Sequence, residues 1–599
     1  MHLPEETLRQ LLVDAQLVAP DAFEAAMTSA REMGVPSEQA LREKELVSDE
    51  KLGELVARTL NLPFVHLGKS AIPEKVLNLL PEDVAKAKKM VVFERTDQVL
   101  KVAVADPSAI KVTIDLLAQK TQVPVEEYYA TDLDIATALT YYRTNFQDVF
   151  EKLMSQEDKV VTTIAHDPPV RKMVEMIVES AHKEGASDIH IEPREKEFVI
   201  RYRIDGLLRD IATLPKSLQD RVVTRIKVLS KLRTDQHYAA QDGKFRVVKG
   251  DNKTDLRVSI IPVADGEKVV LRLLTSQAKA YTLSELGMAE ADLKKLQSAA
   301  KMNFGMVLVT GPTGSGKTTT IYSVLNTINR KEHNLTSIED PIEYQITGAN
   351  QVQVNEKTGL TFANGLRSLL RQDPDYIFVG EIRDTETASI AVNAALTGHL
   401  VFSTLHTNTA ASALPRLYDM KVEPFLVATT VQLIVAQRLL RRVCDACRIS
   451  ELMTVNQLAQ YLDEETIAKY YIPTGEKQEV RVYKGAGCRV CHNSGYKGRI
   501  GIYEVLKVTS TIRQMVSSHA DADAIHAQAL KEGMTTMYED GVAKVSKGLT
   551  TIEEVLRITS TEGGEVTTAE LTDKPDLPPV TVPPTTPLPP QSPPAQAQG

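Results

Sequence analysis

Tryptophan is absent from this 599-residue sequence, and the aromatic residues as a whole make up only 5% of it. Unpaired bases are held by stacking on aromatic faces, so a single-strand-binding role has little to build on. A cationic excess is missing too: 70 Lys and Arg face 79 Asp and Glu, for a net charge of -9. A chain whose main task is to cover nucleic acid is normally basic, so no nucleic-acid partner is expected. No apolar run approaches the ~20 residues needed to cross a bilayer. The start, MHLPEETLRQ, has neither the positive n-region nor the apolar h-region of a signal peptide. A cytoplasmic protein is expected, with any membrane association peripheral. Cysteine is scarce, with four in the whole chain, and in a reducing compartment these are free or metal-bound rather than disulfide-paired.

What is there points to an ordinary globular chain, 43% hydrophobic and 25% charged, and too long for one core. Ten of its 29 prolines fall between Pro575 and Pro594 with almost no apolar bulk, so 561–599 reads as a disordered Pro-rich tail. Near the other end, Leu12, Leu17-Val18 and Phe23 recur 29 residues later as Leu41, Leu46-Val47 and Leu52. Each copy predicts a helix, a turn and a second helix. An alternating strand, LKVAVADP from Leu100, follows, then helix-like patterning to about Arg143. We take 1–145 as an amino-terminal α+β unit and the polar stretch 146–168 as a linker. From 169 to 275 helices and short strands predict an α+β domain. An α/β core is expected over 283–442, a cysteine-bearing insert over 443–498 and a helical segment over 499–560.

The chemistry centres on Met306-Val-Leu-Val-Thr310 followed by Gly311, Pro312, Thr313, Gly314, Ser315, Gly316, Lys317, Thr318 and Thr319. A buried strand runs into a G-x-x-x-x-G-K-T loop and then a helix, a context that a chance glycine-rich turn lacks. Backbone N–H groups of such a loop wrap the β-phosphate, Lys317 reaches the β- and γ-phosphates, and the Thr318 hydroxyl ligates Mg²⁺. Two acidic segments follow. TSIEDPIEYQ carries Glu339, Asp340 and Glu343 just past a short strand, and the strand Tyr376–Val379 ends in Gly380-Glu381. An acid at a strand tip beside the loop can hold Mg²⁺ through water, and a second can polarise the attacking water. Plain solvation is the competing reading for any one of them. TGHLVFSTLHTNTA sets His399 and His406 around a third apolar strand, where a histidine can equally be structural.

The cysteines form two pairs, Cys444-Asp-Ala-Cys447 and Cys488-Arg-Val-Cys491. Two C-x-x-C knuckles suit a closed, tetrahedral S₄ site for structural Zn²⁺, whereas a redox function needs only one such pair.

In order and spacing these segments resemble the secretion ATPases of type II secretion and type IV pilus assembly. The phosphate loop, TSIEDPIEYQ, DPDYIFVGEIRD and TGHLVFSTLHTNTA resemble that family's Walker A, aspartate box, Walker B and histidine box. The likeness extends to ASDIHIEP, RYRIDG, DLRVSIIP, GEKVVLRLL and GCRVCHNSGYKGRIGIYEVL, and spans about 170 to 560. It implies a multidomain α/β fold: a RecA-like P-loop core, a PAS-like domain and a zinc-binding tetracysteine insert that marks assembly-type motors. It further implies ATP as substrate with Mg²⁺, Glu343 as general base, Glu381 as organiser of Mg²⁺, His406 as γ-phosphate sensor, and Arg257 and Arg272 as arginine fingers. A homo-hexamer is implied, working at the cytoplasmic face of the inner membrane with a platform protein and its cytoplasmic docking protein. Some relatives bind cyclic di-GMP through paired Arg-Leu-Gly-type segments at their amino terminus. Leu8-Arg9-Gln10-Leu11-Leu12 and Ala40-Leu41-Arg42-Glu43 match that poorly, with no glycine after either leucine, which favours a docking module. A DNA-transport ATPase and a slow nucleotide-sensing regulator are the alternatives. The net charge speaks against the first, and the intact Glu343, Glu381 and His406 set against the second.

Overall fold

The computed structural model describes residues 5–142 and 168–559, apart from 15–16, 34–35, 45, 68–71, 250–251, 276–280, 284, 330 and 472–478. The expected linker, except its last residue, and the Pro-rich tail lie outside the described residues.

The 29-residue repeat folds as two helical pairs. Helices Glu5–Arg9 (prolonged by one wider turn) and Pro20–Met33 form the first pair, and Ser37–Glu43 and Asp49–Thr59 the second. Leu12 with Leu41, Val18 with Val47 and Phe23 with Leu52 all enter one core, so the repeat is a packing repeat. Behind it lies a small three-stranded sheet, β1 (Met90–Arg95), β2 (Leu100–Val104) and β3 (Val125–Tyr129), in the order β1-β2-β3. Val102, Ala103 and Val104 are all buried because separate apolar clusters cover the two faces of β2, which hides the expected alternation. Strand β3 was not anticipated. Its VEEYY sequence lies at the sheet edge, where two adjacent glutamates are tolerated.

A six-stranded antiparallel sheet forms the PAS-like domain. Its strands are β4 (Asp188–Pro193), β5 (Glu197–Ile204), β6 (Leu207–Pro215), β7 (Gln241–Lys249), β8 (Asn252–Val263) and β9 (Gly266–Thr275), ordered β6-β5-β4-β9-β8-β7. Helices Pro168–Lys183 and Gln219–Leu229 cover one face through Ile189, Tyr202, Leu256 and Leu271. The period of two therefore turns Asp188, Arg203, Arg257 and Arg272 to the opposite face. Asp205 and Gly206 both take positive φ, 50° and 87°, as a two-residue hairpin turn between β5 and β6 requires.

The core sheet has seven strands in the order β12-β11-β13-β14-β10-β15-β18. Five neighbouring strands are parallel: β10 (Gly305–Thr310), β11 (Leu335–Glu339), β12 (Asn350–Gln353), β13 (Tyr376–Val379) and β14 (Leu400–Leu405). Every residue of β10 and β14 is buried, because Met306 and Leu308 enter the apolar layer on one side while Val307 and Val309 enter that on the other. Strand β15 (Val431–Val443) runs parallel to β10 and antiparallel to β18 (Tyr496–Lys507). The segment from 499, expected to be helical, thus begins as a core strand, and four helices follow it to Thr559. The insert between β15 and β18 carries an antiparallel pair, β16 (Arg448–Thr454) and β17 (Glu479–Gly485), with two short helices between them.

Candidate functional site

The carboxyl ends of β10, β11, β13 and β14 place the site residues side by side, the usual location of ligand sites in an open parallel sheet. The phosphate loop leaves β10 at Gly311 and enters the helix Lys317–Ile328 at Gly316. Glycine is required at both ends. A Cβ on Gly311 would lie 2.4 Å from the Gln437 carbonyl oxygen, and Gly316 sits at φ 88°. Gln437, fully buried on β15, braces the loop from below. Its amide donates to the Ser315 carbonyl at 2.6 Å and accepts from the Thr320 hydroxyl at 2.7 Å.

Lys317 is buried and folded into its own loop, its Nζ donating to the carbonyls of Gly311 at 2.8 Å and Pro312 at 3.1 Å. Burial lowers the pKa of this ammonium, and the nearby Glu381 carboxylate opposes the shift. The buried Ser315 hydroxyl has no partner among the described residues, a donor suited to a phosphate oxygen. Glycine amides, a lysine, that hydroxyl and Thr318 at the start of the helix fit a nucleotide phosphate with Mg²⁺. Beside the loop a cavity of about 260 Å³ is lined by the Asp205–Leu207 turn of the PAS-like domain, Leu439 and the arginines Arg438, Arg441, Arg499 and Arg557.

Glu381 is 9% exposed at the tip of β13, and its Oε2 accepts from Arg383 Nε at 2.6 Å and lies 3.3 Å from His406 Nε2. His406 follows β14, and its neighbour Thr407 is tied to the end of β10, with its backbone N–H 3.0 Å from Thr310 Oγ1. His399 lies at the opposite end of β14 and bonds the Ala394 carbonyl at 3.0 Å, a structural role.

Glu343 stands in the loop after β11, open to solvent but crowded by protein on its other sides. That crowding raises its carboxyl pKa, and the guanidinium groups of Arg257 and Arg272 pull it back down. Those arginines are direct cross-strand partners, Arg257 on β8 opposite Arg272 on β9. The same register carries Arg203 on β5, Asp188 on β4 and Lys244 on β7. Four cations and one carboxylate therefore line a single row of the uncovered sheet face. Asp188 accepts from Arg272 Nε at 2.9 Å, and its pKa is lowered by Arg272, Ser187 and Arg203 despite burial. Like charges placed directly opposite destabilise a sheet unless an anion meets them. The predicted residues thus fall into two groups, Glu381 beside Lys317 and His406 in the core, and Glu343 within the field of Arg257 and Arg272 of the PAS-like domain.

Sequence reasoning missed Tyr322, Gln351 and Gln437. Tyrosine and glutamine in such positions carry no motif, and only the folded register reveals what they touch.

The four cysteine sulfurs lie within 4.8 Å of one another. Cys444 to Cys488 is 4.0 Å, Cys447 to Cys491 is 3.8 Å and Cys488 to Cys491 is 3.7 Å. These separations are far from the ~2.05 Å of a disulfide and match the ~3.8 Å edge of a ZnS₄ tetrahedron with ~2.3 Å bonds. The donor set fits Zn²⁺, held by all four thiolates and closed to substrate. The knuckle also meets the PAS-like domain: Arg209 donates to the Cys491 carbonyl at 3.2 Å, and Glu184 lies 2.9 Å from His492. Metal analysis of protein purified without chelator should find about one zinc per chain. Cys488→Ser should lose that metal and lower the melting temperature of the carboxy-terminal half. Metal-free wild-type protein with four freely reactive thiols contradicts the site.

The model of the Type II/IV secretion system protein family matches residues 163–557, and that of the MshEN domain matches 60–146. The chain is 37% identical over 563 residues to the type IV pilus assembly ATPase PilB of Myxococcus xanthus, covering 92% of this chain and 98% of that one. It is 43% identical over 412 residues to the type II secretion system protein E of Pseudomonas aeruginosa, covering 69% of this chain and 78% of that one. Among solved structures, the Legionella pneumophila ATPase DotB aligns with 68% of this chain and 98% of its own, at 21% identity and a TM-score of 0.49. The phosphate loop, the ordered acids and histidine beside it and a family match over most of the length agree, and the chain belongs to the Type II/IV secretion system protein family as an ATP-hydrolysing member.

Proposed function

We propose that the chain is the ATPase motor that powers assembly of a type IV pilus, working as a homo-hexamer at the cytoplasmic face of the inner membrane. The observation that carries the filament assignment is coverage. The pilus assembly ATPase of Myxococcus xanthus aligns with 92% of this chain, amino-terminal unit included, whereas type II secretion E proteins align with 66–72% of it. Assembly of a type II secretion pseudopilus is the second reading, supported by 43–44% identity to type II secretion E proteins over 396–412 residues.

In the motor, Lys317 and Thr318 bind the phosphates and Mg²⁺, which neutralises charge on the transferred phosphoryl group. Glu343 takes the proton of the attacking water, Glu381 would help to hold Mg²⁺, and His406, beside Glu381, would sense the γ-phosphate. Arg257 and Arg272 reach the nucleotide from the PAS-like domain, so hydrolysis and phosphate release change what holds that domain against the core. The amino-terminal unit is a docking module for the platform protein and its cytoplasmic docking protein. Arg9 and Arg42 there already face carboxylates, Glu24 at 2.8 Å and Asp49 at 2.9 Å, which speaks against both serving a cyclic dinucleotide.

A chromosomal Lys317→Ala allele in the bacterium of origin should leave the protein at normal abundance and remove surface filaments seen by electron microscopy. Unchanged filaments together with a block in protein export would replace the pilus reading with the secretion one.

A further inference from the structure

A buried polar cluster joins the phosphate-loop helix to the loop that carries Glu343, and the nucleotide chemistry described above makes no use of it. Tyr322, one helical turn beyond Thr318, is fully buried and donates its hydroxyl to Glu339 Oε2. Glu339 ends β11 and is 2% exposed, and its other oxygen accepts from Ser337 at 2.6 Å and from Gln351 Nε2 at 3.1 Å. Gln351 stands on the edge strand β12, in register with Ser337. Its amide faces back into the intervening loop. Oε1 accepts from the Ile346 backbone N–H at 2.8 Å, while Nε2 lies 3.2 Å from the Tyr344 carbonyl and 3.3 Å from the Tyr322 hydroxyl. The Tyr344 ring in turn packs edge-on against Tyr322 with centroids 4.4 Å apart.

The geometry of this cluster fixes the residues on both sides of Glu343. Residues 344 and 346 are held by one glutamine side chain, and the ring of Tyr344, next to Glu343, packs on the tyrosine of the phosphate-loop helix. A buried carboxylate with three donors is rigid, since breaking any of its bonds leaves a buried charge short of partners. A misplacement of about 1 Å at a catalytic group can cost on the order of 10² in rate. We infer that Gln351 is a positioning residue for ATP hydrolysis, setting Glu343 against the phosphates through Glu339 and Tyr322. This rests on the reading of Glu343 as the base.

The test uses the full chain, with Mg-ATP turnover and binding of a fluorescent ATP analogue measured side by side. Gln351→Met keeps the length and volume of the side chain and removes both polar atoms. Its turnover number should fall by about 10- to 100-fold with KM and analogue affinity changed by less than about threefold. Gln351→Glu keeps the acceptor for Ile346 but sets a second carboxyl against Glu339. One shared proton restores the missing donor, so turnover relative to wild type should rise as pH falls from about 8 to about 6. In a Glu343→Gln background, Gln351→Met should lower the residual turnover little further. Wild-type turnover by Gln351→Met overturns the inference, as does an equal fold-loss with and without the Glu343 carboxylate. Wild-type turnover by Glu343→Gln alone instead removes the base assignment. If Gln351→Met fails to bind the analogue, Tyr322→Phe is read in its place. It keeps the ring and deletes the hydroxyl, and undiminished turnover there overturns the inference equally.

Discussion

Glu343→Gln is expected to bind Mg-ATP about as well as the wild type and to lose about 10³- to 10⁴-fold in turnover number. The substitution keeps the size and the hydrogen-bonding reach of the side chain and removes only its capacity to accept a proton. The surroundings explain why this acid, of the three in its segment, is the one to test. Glu339 is 2% exposed and committed to Ser337, Tyr322 and Gln351, so it has no reach to water. Asp340 faces solvent, and it is Glu343 on which the charges of Arg257 and Arg272 act. Crowding raises the Glu343 pKa, which makes its carboxylate a better base once it is ionised. Since only the ionised form can take a proton, turnover should fall as pH drops through that raised pKa. This acid limb lies above the ordinary carboxylate range. Arg257 and Arg272 hold the pKa down, so Arg257→Ala should move the limb to higher pH.

Arg257→Ala and Arg272→Ala are each expected to lower the turnover number by on the order of 10³ while nucleotide affinity falls much less. The two guanidinium groups are cross-strand neighbours on an uncovered sheet face, with Lys244 beyond them in the same register. An arrangement of this kind gains from an anion between the PAS-like domain and the core. The transferred phosphoryl group carries most negative charge on its equatorial oxygens in the transition state, so cations arriving from outside the core act on rate more than on binding. Arg272 is also paired with Asp188, so its substitution leaves a buried carboxylate short of one donor. Arg272→Ala should therefore lower the melting temperature in addition, whereas Arg257→Ala should not. If both variants lose stability and keep their turnover number, the arginines are structural.

Much of this was legible in the sequence because it rests on local rules. The phosphate loop is a strand, a glycine-rich turn and a helix in contiguous residues. The cysteine pairs announce a four-sulfur site by spacing, and the helical repeat appears as recurring apolar positions that enter one core. What stayed hidden depends on pairing between distant segments. The edge strand β3 carries Glu126 and Glu127, which mask its period, and β18 joins the core sheet only because β15 folds against it across the cysteine insert. Gln351 and Gln437 are single amides whose partners lie in other strands and in the phosphate loop. No pattern along the chain marks them. The register that sets Arg257 opposite Arg272 is likewise a property of the sheet, although each arginine stood out in its own apolar strand.

The most direct measurement is the identity of the nucleotide recovered from the Glu343→Gln protein after mixing with Mg-ATP and removing the excess. If water is activated by Glu343 at this phosphate loop, bound ATP should be recovered, with wild-type protein under the same conditions yielding ADP. Recovery of ADP from Glu343→Gln, formed at the wild-type rate, would contradict the account and place the hydrolytic base elsewhere.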